Sequence, residues 1–304
     1  MGLFFGRKEK EPQGKVVSVI DLKGAIMPGG GGGNPLNGGP AVINHDKLRA
    51  AIDKAFAPPG LVAVALDINC PGGSPAQSEM IANHIRAKAI ERGVPVYAFA
   101  QDVAASGGYW LACAADKIYA QGRTSIVGSI GVVMEYMAYK RLMDTVGVEH
   151  RVYTAGESKR RMGPFTAEND KDKAWIKTHL EDTHEMFKDW IKSRRGPQLA
   201  KGGADLDKEI FTGDIWHADK AMKLGLIDGI GMMEPTLKAE LGNDIKMNYV
   251  TRPRGGLLSA IFARAAWGAP AAPAMDATNI GEGIVEASLA AAKREALWAP
   301  YNMR

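Results

Sequence analysis

A chain of 304 residues, 46% of them hydrophobic, can bury one sizeable core. A formal net charge of +4, with basic residues scattered rather than interleaved with aromatics, argues against a nucleic-acid partner. Two cysteines give no disulfide framework, and no Cys/His group has zinc-ligand spacing.

Residues 1–14 read as a flexible tail, too short and with its charges on the wrong side for a secretory signal. Val16 to Ile26 reads as a first strand. Pro28 to Pro40 is a glycine-dominated loop without the Gly-Lys-Ser/Thr of a phosphate cradle, hence a lid or linker. Asn44 to Ala57 reads as a helix ended by Pro58-Pro59-Gly60, and Val62 to Ile68 as a buried strand. Ser78 to Arg92 is a helix with Ile81, Ile85 and Ala89 on one stripe. Short strands are expected at Pro95 to Ala100, Lys117 to Ala120, Ile130 to Met134 and Val148 to Tyr153. A helix near Tyr139 to Val146 falls between the last two.

Thr166 is expected to open the longest helix, which runs to about Arg195 and stops before Gly196-Pro197. Ala218 to Gly231 forms a helix-turn unit, and the core closes near Met247 to Thr251. Strand and helix alternate throughout, which predicts a mixed α/β fold over a domain of residues 15–251. Residues 252–304 form an extension. It holds an apolar segment, Leu257 to Trp267, and an amphipathic helix, Gly283 to Trp298, whose first expected use is packing on another subunit. No apolar run reaches the ~18 residues of a bilayer span. The expectation is therefore a cytoplasmic protein, peripheral to a membrane at most.

Two stretches carry chemistry. Val62 to Ile68 runs into Asn69-Cys70-Pro71-Gly72-Gly73-Ser74, where paired glycines let the backbone approach another group and aim an N–H at it. The strand at Pro95 to Ala100 leads to Ala104-Ala105-Ser106-Gly107-Gly108-Tyr109. A serine among small residues at a strand-to-helix turn is either an exposed nucleophile, with an oxyanion donor on Gly107, or a helix cap. Gly73 could supply a second donor. A base for the serine is not evident, because the six histidines have no clear partner. Lys159, in Thr154-Ala155-Gly156-Glu157-Ser158-Lys159-Arg160-Arg161, is on its own terms either a base or part of a basic surface loop.

These stretches occur together with Ala114-Ala115-Asp116-Lys117-Ile118 and Gly128-Ser129-Ile130-Gly131-Val132, ahead of Gly156 to Lys159. In that order they resemble the signal peptide peptidase A family, also called protease IV, in its short single-repeat form. The resemblance implies a crotonase- and Clp-protease-like superhelix of β-β-α units. It implies a Ser–Lys dyad with Ser106 as nucleophile, Lys159 as general base and Ser129 orienting the lysine amine. Gly73 and Gly107 would form the oxyanion hole. It further implies extended apolar peptides such as signal-peptide remnants as substrates, a homo-oligomeric ring, and neither a metal nor an organic cofactor. Two features depart from the family: Cys70 stands where a serine is usual, and the hydrophobic N-terminal anchor is absent. The competing function is a crotonase-type acyl-CoA enzyme, which also uses a two-segment oxyanion hole but has no need of Ser106 and Lys159 together.

Overall fold

The computed structural model describes residues 14–29, 42–203 and 205–251. Residues 1–13, most of the glycine-dominated loop and the whole extension 252–304 lie outside the described residues. The described chain divides into two compact units. One takes the residues up to Glu135 and those from Ala174 onward; the other is Tyr136–Lys173.

In chain order the first unit begins with β1 (Val16–Lys23), β2 (Ala25–Ile26), β3 (Val42–Ile43), α1 (His45–Ala55), β4 (Leu61–Cys70) and α2 (Pro75–Arg92). It continues through β5 (Val96–Ala105), α3 (Gly107–Ala112), β6 (Lys117–Ala120) and β7 (Ile126–Gly128). The second unit holds α4 (Lys140–Val146) and the first turn of α5 (Asp170–Gly202). After α5 come a π-helical turn at Leu206–Ile210, β8 (Ile215–His217), α6 (Ala218–Lys223), β9 (Gly229–Ile230), α7 (Met233–Leu241) and β10 (Lys246–Tyr249).

The main sheet runs β10-β1-β4-β5-β6-β9, every pair parallel, with β7 joined to the far end of β5 and β8 antiparallel to β7. A parallel sheet is covered on both faces, so its strands read as apolar runs. Period-two alternation sorts those runs into two cores. Ile20, Leu22, Leu66, Ile68, Ala98 and Ile118 join α1, α2, α3 and α5 in the larger core. Val17, Val19, Ala63, Ala65 and Phe99 face Met233 and Leu237 of α7 in the smaller one. Each fully buried aliphatic side chain contributes about 1.5–3 kcal/mol, which makes this sheet a rigid base for the loops at its carboxyl ends. The expected mixed α/β class is met.

Three expectations are corrected. Ile130–Met134 and Val148–Tyr153 are not strands. A strand needs a hydrogen-bonded neighbour, and neither segment has one among the described residues; Val133 and Tyr153 are instead 78% and 93% exposed. α5 starts at Asp170, not Thr166, because Asn169 is the better cap: its Oδ1 accepts the Asp172 N–H at 2.8 Å. Thr166 closes a turn on the Gly163 carbonyl. The helix also passes through Pro197 to Gly202. Tertiary anchors on both sides of the proline override its local preference: buried Arg195 is bonded to Asp228 and to the Gly225 carbonyl, each at 2.8 Å, and Leu199 is buried.

Candidate active site

The carboxyl ends of β4, β5 and β7 converge on Ser106. β5 pairs with β7 so that Ala105 lies opposite Gly128, and the Ser106 N–H donates to the Gly128 carbonyl at 2.8 Å. Ser106 and Ser129 are thus the first residues off two adjacent, in-register strands. Both adopt left-handed backbone, φ 52° and 53°, which costs a residue with a Cβ about 1–3 kcal/mol. The surroundings hold them there. The Ser106 carbonyl accepts the Tyr109 and Trp110 N–H groups at 2.9 Å, and the Ser129 N–H donates to the Asp214 carbonyl at 2.6 Å.

Ser106 occupies the N-cap position of α3 but makes no capping hydrogen bond with its side chain. Ser74 and Asn44, at the same position of α2 and α1, do cap with theirs. The Ser106 hydroxyl is therefore not spent on capping the helix. All six residues of α3 are buried, which anchors the turn, while Ser106 itself stays half-buried and reachable.

The glycines around it are required by space. Gly72 (φ 113°) would place a Cβ 2.7 Å from that of Ser106, and Gly73 (φ 137°) would place one 2.0 Å from the Ile26 carbonyl oxygen. Ile26 bridges to the Gly73 segment through two backbone bonds, Ile26 N–H to Gly72 and Ser74 N–H to Ile26, both 2.8 Å. That bridge leaves the Gly73 N–H without an acceptor among the described residues. Gly107, at the first turn of α3, likewise donates to no group among the described residues. A Cβ on Gly107 would lie 3.4 Å from the Gly73 nitrogen and 2.5 Å from Ser78 Oγ, so the two free donors lie close together beside the serine. Two neighbouring backbone N–H groups beside a serine hydroxyl are the kind of donors an acyl-transfer site needs for its oxyanion.

Lys159 belongs to the second unit. Its side chain is exposed, and its backbone N–H donates to the Gly156 carbonyl at 3.1 Å. Within the first unit the structure therefore brings together Ser106, Ser129, Gly73 and Gly107, without Lys159. Among the described residues no histidine bonds to Ser106. His184 binds the Ile130 carbonyl at 3.0 Å, His217 faces the Thr124 carbonyl, and His45 pairs with His84, which in turn meets Asp53 at 3.2 Å. Burial pushes the Cys70 thiol up to about 11 and the Cys113 thiol up to about 12, so neither offers a thiolate near neutral pH.

Sequence reasoning missed the supports. Asp214 holds the Ser129 backbone and is itself tied to Thr212 Oγ1 at 2.7 Å; Ile26 shapes the Gly73 turn. Asp214 closes the run Phe211-Thr212-Gly213-Asp214. Its role is not visible in the sequence, since a backbone contact 85 residues away along the chain leaves no mark on either segment.

The description of peptidase family S49 matches residues 88–244, just over half of the chain. The match spans Ser106, Ser129 and Lys159 and begins after Gly73. Over 287 residues the chain is 37% identical to a protein of Brucella abortus (strain 2308) named Na(+)/H(+) antiporter NhaA, covering 94% of this chain and 37% of that one. It is 32% identical to a Haemophilus influenzae protein named probable protease SohB over 64% of this chain and 53% of that one. It is 28% identical to Protease 4 of the same organism, covering 74% and 34%. The chain thus spans between a third and about half of the length of these relatives.

Proposed function

Because this chain belongs to peptidase family S49, we propose that it is a serine endopeptidase acting on extended, mainly apolar peptides, with Ser106 and Lys159 as its dyad. The observation that carries the reading is the Ser106 hydroxyl, uncapped on a strained turn beside the free Gly73 and Gly107 N–H groups. Attack of Ser106 Oγ on a peptide carbonyl gives a tetrahedral oxyanion that these two donors stabilise. The Lys159 amine takes the hydroxyl proton and passes it to the leaving amine, so the C–N bond breaks and an acyl-enzyme remains. The same amine then deprotonates the water that releases the acid and restores Ser106. Ser129, one residue beyond the strand paired with that of Ser106, orients the lysine. Family membership favours this reading over an acyl-CoA enzyme.

The finer proposal concerns assembly: copies close into a ring in which Ser106 of one protomer is served by Lys159 of the next. In support, α4 buries none of its residues, and Met137, Leu142, Val146 and Tyr153 of the second unit are exposed apolar side chains awaiting cover. Placement beside a membrane rather than across one is also proposed. Among the described residues no helix is long and apolar enough to cross a membrane. A region similar to this chain is carried on a longer protein named Na(+)/H(+) antiporter NhaA.

The test is turnover of a peptide library by wild type, Ser106→Ala and Lys159→Ala. Both variants should fall to background with the fold intact, and mixing them under exchange conditions should restore part of the activity. Undiminished turnover by Ser106→Ala would sink the nucleophile. Mixed oligomers without recovery would sink the shared site.

A further inference from the structure

Lys159 sits in a loop whose two flanks converge on one carboxylate. Upstream, Ser158 Oγ accepts from Arg161 Nη2 at 2.7 Å, and the same guanidinium donates through Nη1 to Asp172 Oδ1 at 2.9 Å. Downstream, the Met162 N–H reaches Asp172 Oδ2 at 3.4 Å. Met162 takes left-handed backbone, φ 51°, so the chain reverses there against its local preference. Asn169 completes the arrangement: its Nδ2 donates to Asp172 Oδ2 at 2.8 Å, and its Oδ1 accepts the Asp172 N–H at 2.8 Å. Asp172 lies in the first turn of α5, where the helix dipole favours a carboxylate. All of these residues belong to the second unit.

An isolated surface ion pair is worth little, because water screens it and two long side chains must be ordered. This pair differs in geometry. Its side chains are only 24% and 16% exposed, and the one carboxylate gathers the Arg161 guanidinium, the N–H of its neighbour Met162 and the Asn169 amide. The bonds surround Lys159 on both sides and leave its own side chain free.

We propose that Arg161 and Asp172 are positioning residues that fix the backbone of the Lys159 loop, so that the lysine amine is delivered to the serine hydroxyl in one reproducible geometry. The proposal rests on the reading of Lys159 as general base. Neither residue touches substrate; both act through the loop. A misplacement of a catalytic group by about 1 Å can cost on the order of 100-fold in rate, so a frame of this kind belongs to catalysis even at a distance from the reacting atoms.

Steady-state kinetics of the full chain decide it. Arg161→Ala and Asp172→Ala should each lower kcat about 10- to 100-fold with KM within about twofold, and the double variant should be no worse than either single one, since both break one frame. Asp172→Asn keeps the shape and an acceptor for Met162, so it should retain more activity than Asp172→Ala. It also carries the test if the alanine variant fails to fold. Lys159→Ala is measured alongside. If Lys159→Ala is inactive while Arg161→Ala and Asp172→Ala turn over like wild type, the frame is overturned and the dyad stands. If Lys159→Ala keeps its activity, the reading of the lysine falls first. Losses that vanish when rates are normalised to folded protein would also overturn the proposal.

Discussion

Around Ser106 nearly every support is backbone, whereas around Lys159 nearly every support is a side chain. The serine is fixed by the Gly128 carbonyl, by N–H groups of α3 and by glycines too crowded to accept a Cβ, on a sheet buried from both faces. The lysine loop is fixed by Ser158, Arg161, Asn169 and Asp172, in a unit where α4 buries nothing. The difference teaches where tolerance lies. A backbone-built site fails at the first added methyl group, while a side-chain-built one loses its order one bond at a time.

The sharpest way to break this comparison is to add one carbon on the serine side. Gly73→Ala forces a Cβ to 2.0 Å from the Ile26 carbonyl and moves an oxyanion donor, so peptide turnover should fall at least ~100-fold. Denaturant unfolding should record a loss of stability as well. Near-normal kcat in this variant would mean the turn is not built as described.

Ser129→Ala should have a smaller effect. The substitution leaves both the strand pairing and the Asp214 contact untouched, because the pairing ends at Gly128 and the contact uses the Ser129 backbone N–H. It removes only a hydroxyl, worth about 1.5–3 kcal/mol if it binds a charged amine, or roughly 10- to 100-fold in kcat. A rate within twofold of wild type would show that the lysine needs no such partner.

The smallest effect is one of stability on the lysine side. Partial burial works to raise the Asp172 carboxyl, but hydrogen bonds from Asn169 and the Met162 N–H, with the Arg161 charge, outweigh it and hold the group below its ordinary value. Its stabilising contribution is therefore complete above the unfolded carboxylate value of about 3.9 and is lost as pH falls through the lower folded value. The stability gap between wild type and Asp172→Asn should be constant at neutral pH and shrink only in strong acid. A gap that widened on acidification would contradict the sign of this linkage.

Sequence pattern reached the parallel core well, since β4 and β5 open on apolar runs, Leu61–Leu66 and Val96–Ala100, and β6 was located at Lys117–Ala120. Ser106 was visible because small residues around a serine at a turn are rare enough to notice. What stayed hidden was relational. Whether Ser106 caps its helix depends on side-chain direction, and whether Val148–Tyr153 pairs depends on a neighbour it does not have. The four anchors of the lysine loop are ordinary polar residues whose spacing, from 158 to 172, fits no periodic template.

The position of β1 bears on the order in which this protein is made. Its strand, Val16–Lys23, is an inner member of the sheet, lying between β4 and β10. One neighbour follows within about forty residues, but the other, Lys246–Tyr249, is among the last described elements to be synthesised. A nascent chain therefore carries β1 with one side unpaired through most of translation. Such an open edge invites pairing with other chains. The sheet reaches its final width only after Tyr249 emerges, so folding of the Ser106 turn, in the middle of the sheet, can precede closure of the sheet by more than a third of the chain. Ribosome-bound intermediates truncated before residue 246 should be the aggregation-prone species of this protein, and full-length chains should not.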